Sequence, residues 1–113
     1  MANRINFNGA SGRQYAFNRV EVNSPWARNA GVAVFAAPDT FGWRIIGISQ
    51  LTGRTHDVRP LWALREAERY GASAVFYCAE ANGDARCDII SDLQSGFNPL
   101  VSQQEPIELA VAA

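Results

Sequence analysis

The side chains of this chain that are best suited to chemistry lie between positions 54 and 59. Arg54 and Arg59 flank His56, the only histidine, and Thr55 and Asp57 stand on either side of it. Histidine can act as a general base near neutral pH, and guanidinium groups bind phosphate oxygens through paired hydrogen bonds. A solvated loop histidine would show the same pattern. The segment is therefore predicted to bind an anion, with a catalytic His56 as the alternative.

Other reaction chemistries find no support in residue type or spacing. The chain has ten arginines and no lysine, so neither a Schiff-base lysine nor a P-loop lysine is available. Cys78 and Cys87 form no CxxC pair and have no neighbouring histidine, which gives no support to a thiolate metal centre. Both thiols are expected to be free and buried, with a disulfide as the alternative for an exported chain. No metal ion or cofactor is expected.

Size and charge indicate a small soluble domain with an uneven surface. The chain has 113 residues, 48% of them hydrophobic, which suits one core better than two. No apolar stretch approaches the ~20 residues of a membrane span, and the first residues lack the hydrophobic block of a signal peptide, so a cytoplasmic protein without membrane contact is expected. Residues 1–59 carry seven arginines against three acids (+4), and residues 60–113 carry three against eight (−5). This asymmetry indicates a basic face for a polyanion or two complementary faces within one fold.

Short alternating segments predict that a β-sheet positions these groups. Residues 4–8 and 13–17 alternate polar and apolar side chains around a Gly/Ser turn, which is typical of a β-hairpin. Residues 30–36 and 43–49 are rich in valine, isoleucine and aromatics and are predicted to pair antiparallel at the centre of the domain. The polar residues 50–57 then predict an exposed connection.

Two helices and a third central strand are predicted in the second half. Pro60 suits a first helical turn and Gly71 a left-handed stop. Apolar residues recur between them at helical spacing: Leu61, Leu64, Ala67 and Tyr70. Residues 74–78 indicate a buried strand. Asp84 is the predicted N-cap of a second helix, and Gly96 is its predicted end.

These elements predict a small single α+β domain. Its central antiparallel sheet has about three core strands plus an N-terminal hairpin and is packed by two helices. Residues 1–29 form the hairpin and its lead-in, residues 30–101 the core, and residues 102–113 a tail or edge strand. The edge strand is favoured by alternating apolar positions in that last segment, Ile107, Leu109 and Val111.

The predicted order of elements, hairpin, helix, strand and helix, together with two glycine-containing runs, resembles the GIY-YIG nuclease superfamily. Residues 31–35 have the form of the family's first motif except at the tyrosine, and residues 45–47 line up with its second. Leu93 and Pro99 keep the outline of a later family segment. The resemblance covers residues 30–100 and implies a GIY-YIG-like core.

The same resemblance implies where nuclease chemistry would lie and that it is lost. The family's two catalytic tyrosines fall on Ala33 and Ile45. Its phosphate-binding arginine falls near Thr55, and its metal-binding glutamate falls on Ile90. Without the hydroxyls and the carboxylate, the resemblance implies a scaffold that no longer cleaves phosphodiesters, with the three apolar side chains filling the vacated site together. Asp88 is two positions from Ile90, a helical rotation of ~200°, and is expected to face elsewhere.

The leading hypothesis is a non-catalytic binding module whose partner is a nucleic acid or a protein. Its candidate binding residues surround the former nuclease cleft: Arg44, Arg54, His56, Arg59 and Trp62. Two alternatives stay open. One is a rearranged metal-dependent phosphodiesterase or endonuclease that uses Arg54, His56 and Asp88. The other is a homo-oligomeric structural protein that buries its C-terminal strand against a neighbouring copy.

Overall fold

A computed structural model gives the structure of residues 3–40, 42–99 and 101–103. Its strands are β1 (Arg4–Asn8), β2 (Gln14–Val20), β3 (Gly31–Asp39), β4 (Gly42–Leu51), β5 (Ala74–Ala79) and β6 (Val101–Gln103). Its α-helices are α1 (Arg59–Glu68) and α2 (Gly83–Phe97), and a short 3-10 helix, Trp26–Arg28, precedes β3. The predicted α+β domain with two helices is confirmed.

The described strands form one sheet in the order β1-β2-β5-β3-β4-β6. Neighbours among the first five are antiparallel, and β6 runs parallel to β4 along residues 47–49. The hairpin β1/β2 and the central trio β4, β3 and β5 therefore confirm the predicted sheet. Strand β6 lies at the edge of the sheet beside β4, and the alternating positions of the predicted C-terminal edge strand, Ile107, Leu109 and Val111, lie outside the described residues.

The two helices cover opposite faces of the sheet. Strand side chains alternate between these faces, so the sheet has a core on each side. The α2-side core contains Phe17 and Leu93, and the α1-side core contains Phe35 and Leu64. Strand β3 contributes to both cores, and its residues 31–37 are all buried. This double burial explains why β3 is an unbroken apolar run rather than an alternating one.

A β-bulge in β4 determines which of its side chains face each helix. Phe35 pairs with Gly47, and Ala36 pairs with Ile45, so Ile46 is an extra residue between the two pairs. Ile46 joins the α1-side core, while Ile45 joins the α2-side core. The alternation of β4 is therefore reversed across the bulge.

Gly71 ends the first helical segment as predicted. It has φ +104°, and its N–H donates to the carbonyl of Glu68 at 3.1 Å. The next N–H, of Ala72, donates to the carbonyl of Ala67 at 3.1 Å. This pair of hydrogen bonds is a Schellman motif, in which the left-handed position favours glycine.

Helix α1 buries a different face from the one its apolar pattern predicts. Its buried residues are Pro60, Ala63, Leu64 and Ala67. Leu61 and Tyr70 were expected on the buried face, but each is 50% exposed. The buried stripe is centred near Ala63 and Leu64, and Leu61 lies ~110° from that centre on a helix of 3.6 residues per turn. Large apolar side chains therefore remain at the surface of α1.

The start of α2 is capped by Asn82 and not by Asp84. Asn82 Oδ1 accepts a hydrogen bond from the Ala85 N–H at 2.9 Å, and Asp84 lies inside the first turn. Asparagine and aspartate are equally good N-cap types, so two candidates two residues apart compete in the sequence. The N-cap of α2 therefore lies two positions earlier than predicted.

The end of α2 lies beyond Gly96, which was predicted to stop it. The helix continues to Phe97 and ends at Asn98, which has a left-handed φ of +49°. A Cβ at Gly96 would lie 3.1 Å from the Ala10 backbone nitrogen. Gly96 therefore permits the close approach of α2 to the hairpin turn, and its backbone is not left-handed.

Asp92 ties the β1/β2 turn to α2. Its carboxylate accepts hydrogen bonds from the Ser11 N–H at 2.8 Å, the Ser11 hydroxyl at 2.6 Å and the Tyr15 hydroxyl at 2.7 Å. The hydrogen bonds from Ser11 and Tyr15 hold the pKa of Asp92 below its ordinary value. A side chain at Gly9 would collide with this carboxylate, so Asp92 would have to move to admit one.

Candidate binding surface

The connection between β4 and α1, residues 52–58, is organised around the Asp57 carboxylate. Asp57 accepts hydrogen bonds from the Thr52 hydroxyl at 2.9 Å and from the Arg59 N–H at 3.2 Å. The Arg59 guanidinium donates to both carboxylate oxygens, through Nε at 2.8 Å and Nη2 at 2.9 Å. These hydrogen bonds, those from the Arg59 guanidinium foremost, lower the pKa of Asp57 to about 2. The 52–58 loop is thus held in a defined shape at the start of α1.

The structure brings three of the predicted binding residues together, but they are not equivalent. Arg54, His56 and Arg59 line one open depression of about 620 Å³. Arg59 is engaged by Asp57, so its charge is largely neutralised. Arg54 and His56 are exposed, and Arg54 forms no ion pair with any residue that the structure describes. Arg54 is therefore the cation of this loop that is open to a partner.

A second groove adjoins the first and shares Arg54, Thr55 and Asp57 with it. It measures about 370 Å³, and its lining includes Arg28, Arg54, Val58 and Leu61. Arg28 is exposed, and it ends the 3-10 helix whose first residue, Trp26, is buried. The Trp26 indole N–H donates to the Val22 carbonyl at 3.1 Å, and its ring meets Phe35 of β3 edge to face with centroids 5.7 Å apart, which fixes this helix against the sheet. The groove is therefore lined by two arginines, Arg28 and Arg54.

Arg28 was not predicted, although the sequence carries a signal for it. Pro25 and Trp26 mark a turn followed by a large buried anchor, and an arginine two residues after such an anchor is held at the surface. No ion pair joins Arg28 to a carboxylate within the described ranges. Arg28 and Arg54 are thus two cations on one groove, and the acid that lines it with them, Asp57, is already paired with Arg59.

Three large apolar side chains are exposed beside this groove. Val58 is 43% exposed, Leu61 50% and Trp62 65%. Their spacing of three and four positions places them on one side of the first turn of α1. Trp62 was predicted to lie near the binding residues, and it forms the outer end of this apolar row. Adjacent large apolar side chains are uncommon at the surface of a small domain.

Arg44 is not part of this surface. It is exposed near the start of β4, whereas the 52–58 loop follows the end of that strand. Seven residues of extended strand, at about 3.3 Å each, separate Arg44 from Leu51 by more than 20 Å. The prediction that grouped Arg44 with Arg54 is wrong because most of the length of β4 lies between Arg44 and the loop.

The four positions that the family resemblance assigned to a nuclease site do not meet in one cleft. Ile90 and Ile45 are buried in the α2-side core, and Ala33 is buried in the α1-side core. Thr55 is exposed on the 52–58 loop. Regular alternation from the Ala33 and Ser49 pair would have put Ile45 on the same face as Ala33, and the β4 bulge reverses this. Ile90 is fully buried, as expected, but without Ala33 beside it.

The alternative catalytic group of Arg54, His56 and Asp88 is not assembled. Asp88 lines a separate depression with Arg13 and Tyr15, on the side of the sheet covered by α2. Arg54 and His56 lie on the side covered by α1. In the part of the chain that the structure describes, no group of three or more His, Cys, Asp or Glu side chains is placed to hold a metal ion.

Comparisons with protein-family models, curated proteins and solved structures find no match to this chain. The GIY-YIG resemblance therefore stays a prediction. Among the described residues, no helix has the length and apolar character needed to cross a membrane.

Proposed function

We propose that this protein is a non-catalytic binding module that docks an acidic segment of another protein. The contact area is the docking surface, defined as Arg28, Arg54, Val58, Leu61 and Trp62. The observation that carries the proposal is the row of three exposed apolar side chains beside a groove with two arginines that have no described acidic partner. Tryptophan and arginine are the residue types that most often supply the binding energy of protein interfaces.

The charge of the docking surface supports an acidic partner. Arg28 and Arg54 both line the groove, so a carboxylate that binds there would be attracted by two guanidinium charges. Asp57, the acid that also lines the groove, already accepts hydrogen bonds from Arg59 and Thr52. A basic partner would meet two like charges, which disfavours it.

A protein segment fits this surface better than a nucleic acid. Nucleic-acid sites track a phosphate backbone with several cations, whereas this groove offers two. Farther along α1, the Arg69 guanidinium is paired with Glu66 at 3.2 Å, which offsets its charge. The row of Val58, Leu61 and Trp62 instead suits apolar side chains of a peptide.

The surroundings of His56 support the proposed lack of catalysis. A general base is normally oriented by a neighbouring acceptor, and the hydrogen bonds of the described residues include none that involves His56. Ala33, Ile45 and Ile90 carry no hydroxyl or carboxylate and lie in two separate cores, so the positions that the GIY-YIG resemblance names supply no nuclease chemistry. We place the module in the cytoplasm, where free thiols such as Cys78 and Cys87 persist.

A peptide-binding experiment tests the proposal. A fluorescein-labelled peptide with glutamates around a leucine and a tryptophan is titrated with the protein, and fluorescence anisotropy is measured. Trp62→Ala and Arg54→Glu are each expected to weaken binding about 10-fold. The matched controls are Tyr70→Ala, an exposed aromatic just beyond the C-terminal end of α1, and Arg44→Glu, an exposed arginine near the start of β4. Both controls are expected to change affinity less than about 2-fold.

Two results would overturn this function. The first is equal binding of a peptide in which lysines replace the glutamates. The second is tighter binding of oligothymidylate that depends on Arg54, which would assign the surface to a nucleic acid. Loss of binding in the two control variants as well would show that the peptide binds elsewhere on the domain.

A further inference from the structure

The apolar row of the docking surface lies on the outward side of α1. Successive residues of a helix are rotated by ~100°, and the buried residues of α1 are centred near Ala63 and Leu64. Val58, Trp62 and Arg65 lie ~150–170° from that centre, so they point almost directly away from the sheet. Helix positions that face solvent normally carry polar side chains. Val58 and Trp62 instead expose apolar area that no element in the described part of the chain covers.

Arg65 continues the outward side of α1 with a positive charge. Its side chain is exposed and lies three positions after Trp62, on the same side of the helix. No ion pair joins it to an acid in the described ranges, although Glu68 follows three positions later. Seven residues at 1.5 Å each separate Arg65 from Val58 by ~10 Å along the helix axis. The apolar row is therefore bounded by cations, with Arg65 beyond one end and Arg54 of the loop at the other.

The backbone of α1 determines what kind of segment suits this side. The N–H groups of Leu61 and Trp62 already donate to the Val58 carbonyl, each at 3.1 Å, and the later turns are hydrogen-bonded within the helix. An extended segment needs free backbone partners, such as those at a sheet edge, to satisfy its own N–H and C=O groups when it is buried. A helical segment satisfies these groups internally. The outward side of α1 offers side chains alone, so it suits a helix.

Two packed helices also match in the spacing of their side chains. Both rise 1.5 Å per residue, and both bring residues three and four positions apart to one side. A partner helix with apolar residues at these spacings fits its ridges between Val58, Leu61 and Trp62. The cations at both ends of the row favour acids in the flanking turns of the partner, because opposite charges across an interface fix its register.

We infer that the acidic segment bound by the docking surface is an amphipathic α-helix that packs along α1. This inference rests on the proposed function and specifies the conformation and the residue pattern of the partner. The matching pattern has apolar residues three and four positions apart, with acids in the turn before them and in the turn after them. One group of acids pairs with Arg65, and the other lies toward Arg54.

Two fluorescein-labelled peptides of identical composition test the conformation. In the first, leucine and tryptophan recur at spacings of three and four between glutamates, so that a helix collects them on one side. In the second, the same residues alternate, so that only an extended chain collects them. By fluorescence anisotropy, the helix-patterned peptide is expected to bind at least about 10-fold more tightly. A proline in the middle of its polar side is expected to remove this advantage, because proline breaks a helix.

Charge reversal tests the position of the partner helix. Arg65→Glu is expected to weaken binding of the helix-patterned peptide about 10-fold, because an acid then faces an acid. A peptide whose acids at one end are replaced by lysines is expected to bind the Arg65→Glu protein better than the wild type, and the end that does so gives the direction of the helix. Arg13→Glu is the matched control, since Arg13 is also exposed but lines a depression on the side of the sheet that α2 covers. It is expected to change affinity less than about 2-fold.

Two results would overturn the inference and leave the proposed function standing. The first is equal or tighter binding of the alternating peptide, with both peptides weakened by Trp62→Ala. The second is unchanged affinity in an Arg65→Glu variant whose circular dichroism shows the native fold. Binding of neither peptide would instead overturn the proposed function, and this inference with it.

Discussion

Asp57→Asn is expected to destabilise the domain at neutral pH, because Asp57 holds the 52–58 loop through its charge. The pKa of this carboxyl is lowered from 3.8 to about 2. One pKa unit corresponds to about 1.4 kcal/mol, so the difference amounts to about 2 kcal/mol. The Asp57 side chain is 7% exposed, but that of Arg59 is 32% exposed, and solvent screening reduces the expected loss to about 1–2 kcal/mol.

The sign of the pH dependence follows from the depressed pKa. A carboxyl with a lower pKa in the folded than in the unfolded state stabilises the fold above its unfolded pKa. That contribution is lost as the pH falls from about 5 toward 2. The difference in unfolding free energy between the wild type and Asp57→Asn is therefore expected to be largest at about pH 7 and to shrink at about pH 3.

Urea unfolding at several pH values measures this difference. Asp39→Asn is the matched control, because Asp39 is exposed and the hydrogen bond found for its carboxylate comes from the neighbouring Thr40 N–H, at 2.7 Å. It is expected to change the free energy of unfolding by less than about 0.5 kcal/mol at any pH. A variant Asp57→Asn as stable as the wild type at neutral pH, or a gap that stays constant down to about pH 3, would refute the assigned role of this carboxylate.

Other substitutions test the core, a helix end and the loss of chemistry. Ile90→Ala is expected to cost ~2–5 kcal/mol in urea unfolding, because Ile90 is fully buried; a cost below about 0.5 kcal/mol would contradict this burial. Ile90→Glu is expected to destabilise the fold further without producing cleavage. Gly71→Ala is expected to cost about 1–2 kcal/mol by the same measurement, since its φ of +104° strains other residues although space for a Cβ is open. With magnesium or manganese, the purified protein is expected to leave single- and double-stranded DNA intact in a gel assay, and cleavage that disappears in Asp88→Ala would contradict the proposed loss of nuclease chemistry.

The elements of this fold were predictable because their signals are local. Alternation of polar and apolar side chains over a few residues identifies β1 and β2. Gly71 marks a left-handed position, because other residue types disfavour that backbone conformation. The apolar run of β3 indicates burial on both faces. Where two local signals compete, as Asn82 and Asp84 do for one N-cap, the sequence does not choose between them.

The incorrect predictions of side-chain facing arise where a single residue changes the backbone geometry. The extra residue Ile46 reverses the faces of β4, so Ala33 and Ile45 point into different cores. No residue pattern in β4 distinguishes this bulge from regular pairing. The buried side of α1 shows the same limit, because the exposed position of Leu61 depends on how the helix rotates against the sheet.

The loop residues of the candidate surface were predicted from the sequence, but the contribution of Arg28 was not. Arg54 and His56 follow from the polar segment after β4, which any exposed connection would show. Arg28 joins them only because the 3-10 helix folds back beside that loop, a contact between segments distant in sequence. The assignment of Arg44 failed for the opposite reason, since nearness in sequence is lost along an extended strand.

The sheet order also determines when the parts of this domain can assemble. Val20 in β2 pairs with Val75 in β5, 55 residues later. The hairpin β1/β2 therefore emerges from the ribosome long before the strand that attaches it to the sheet. Phe7 meets both Phe17 and Phe76 edge to face, so its aromatic cluster is completed only when β5 arrives. Folding is expected to start at the adjacent strands β3 and β4, whose contacts are local, with the N-terminal hairpin docking late and its phenylalanines exposed to aggregation until then.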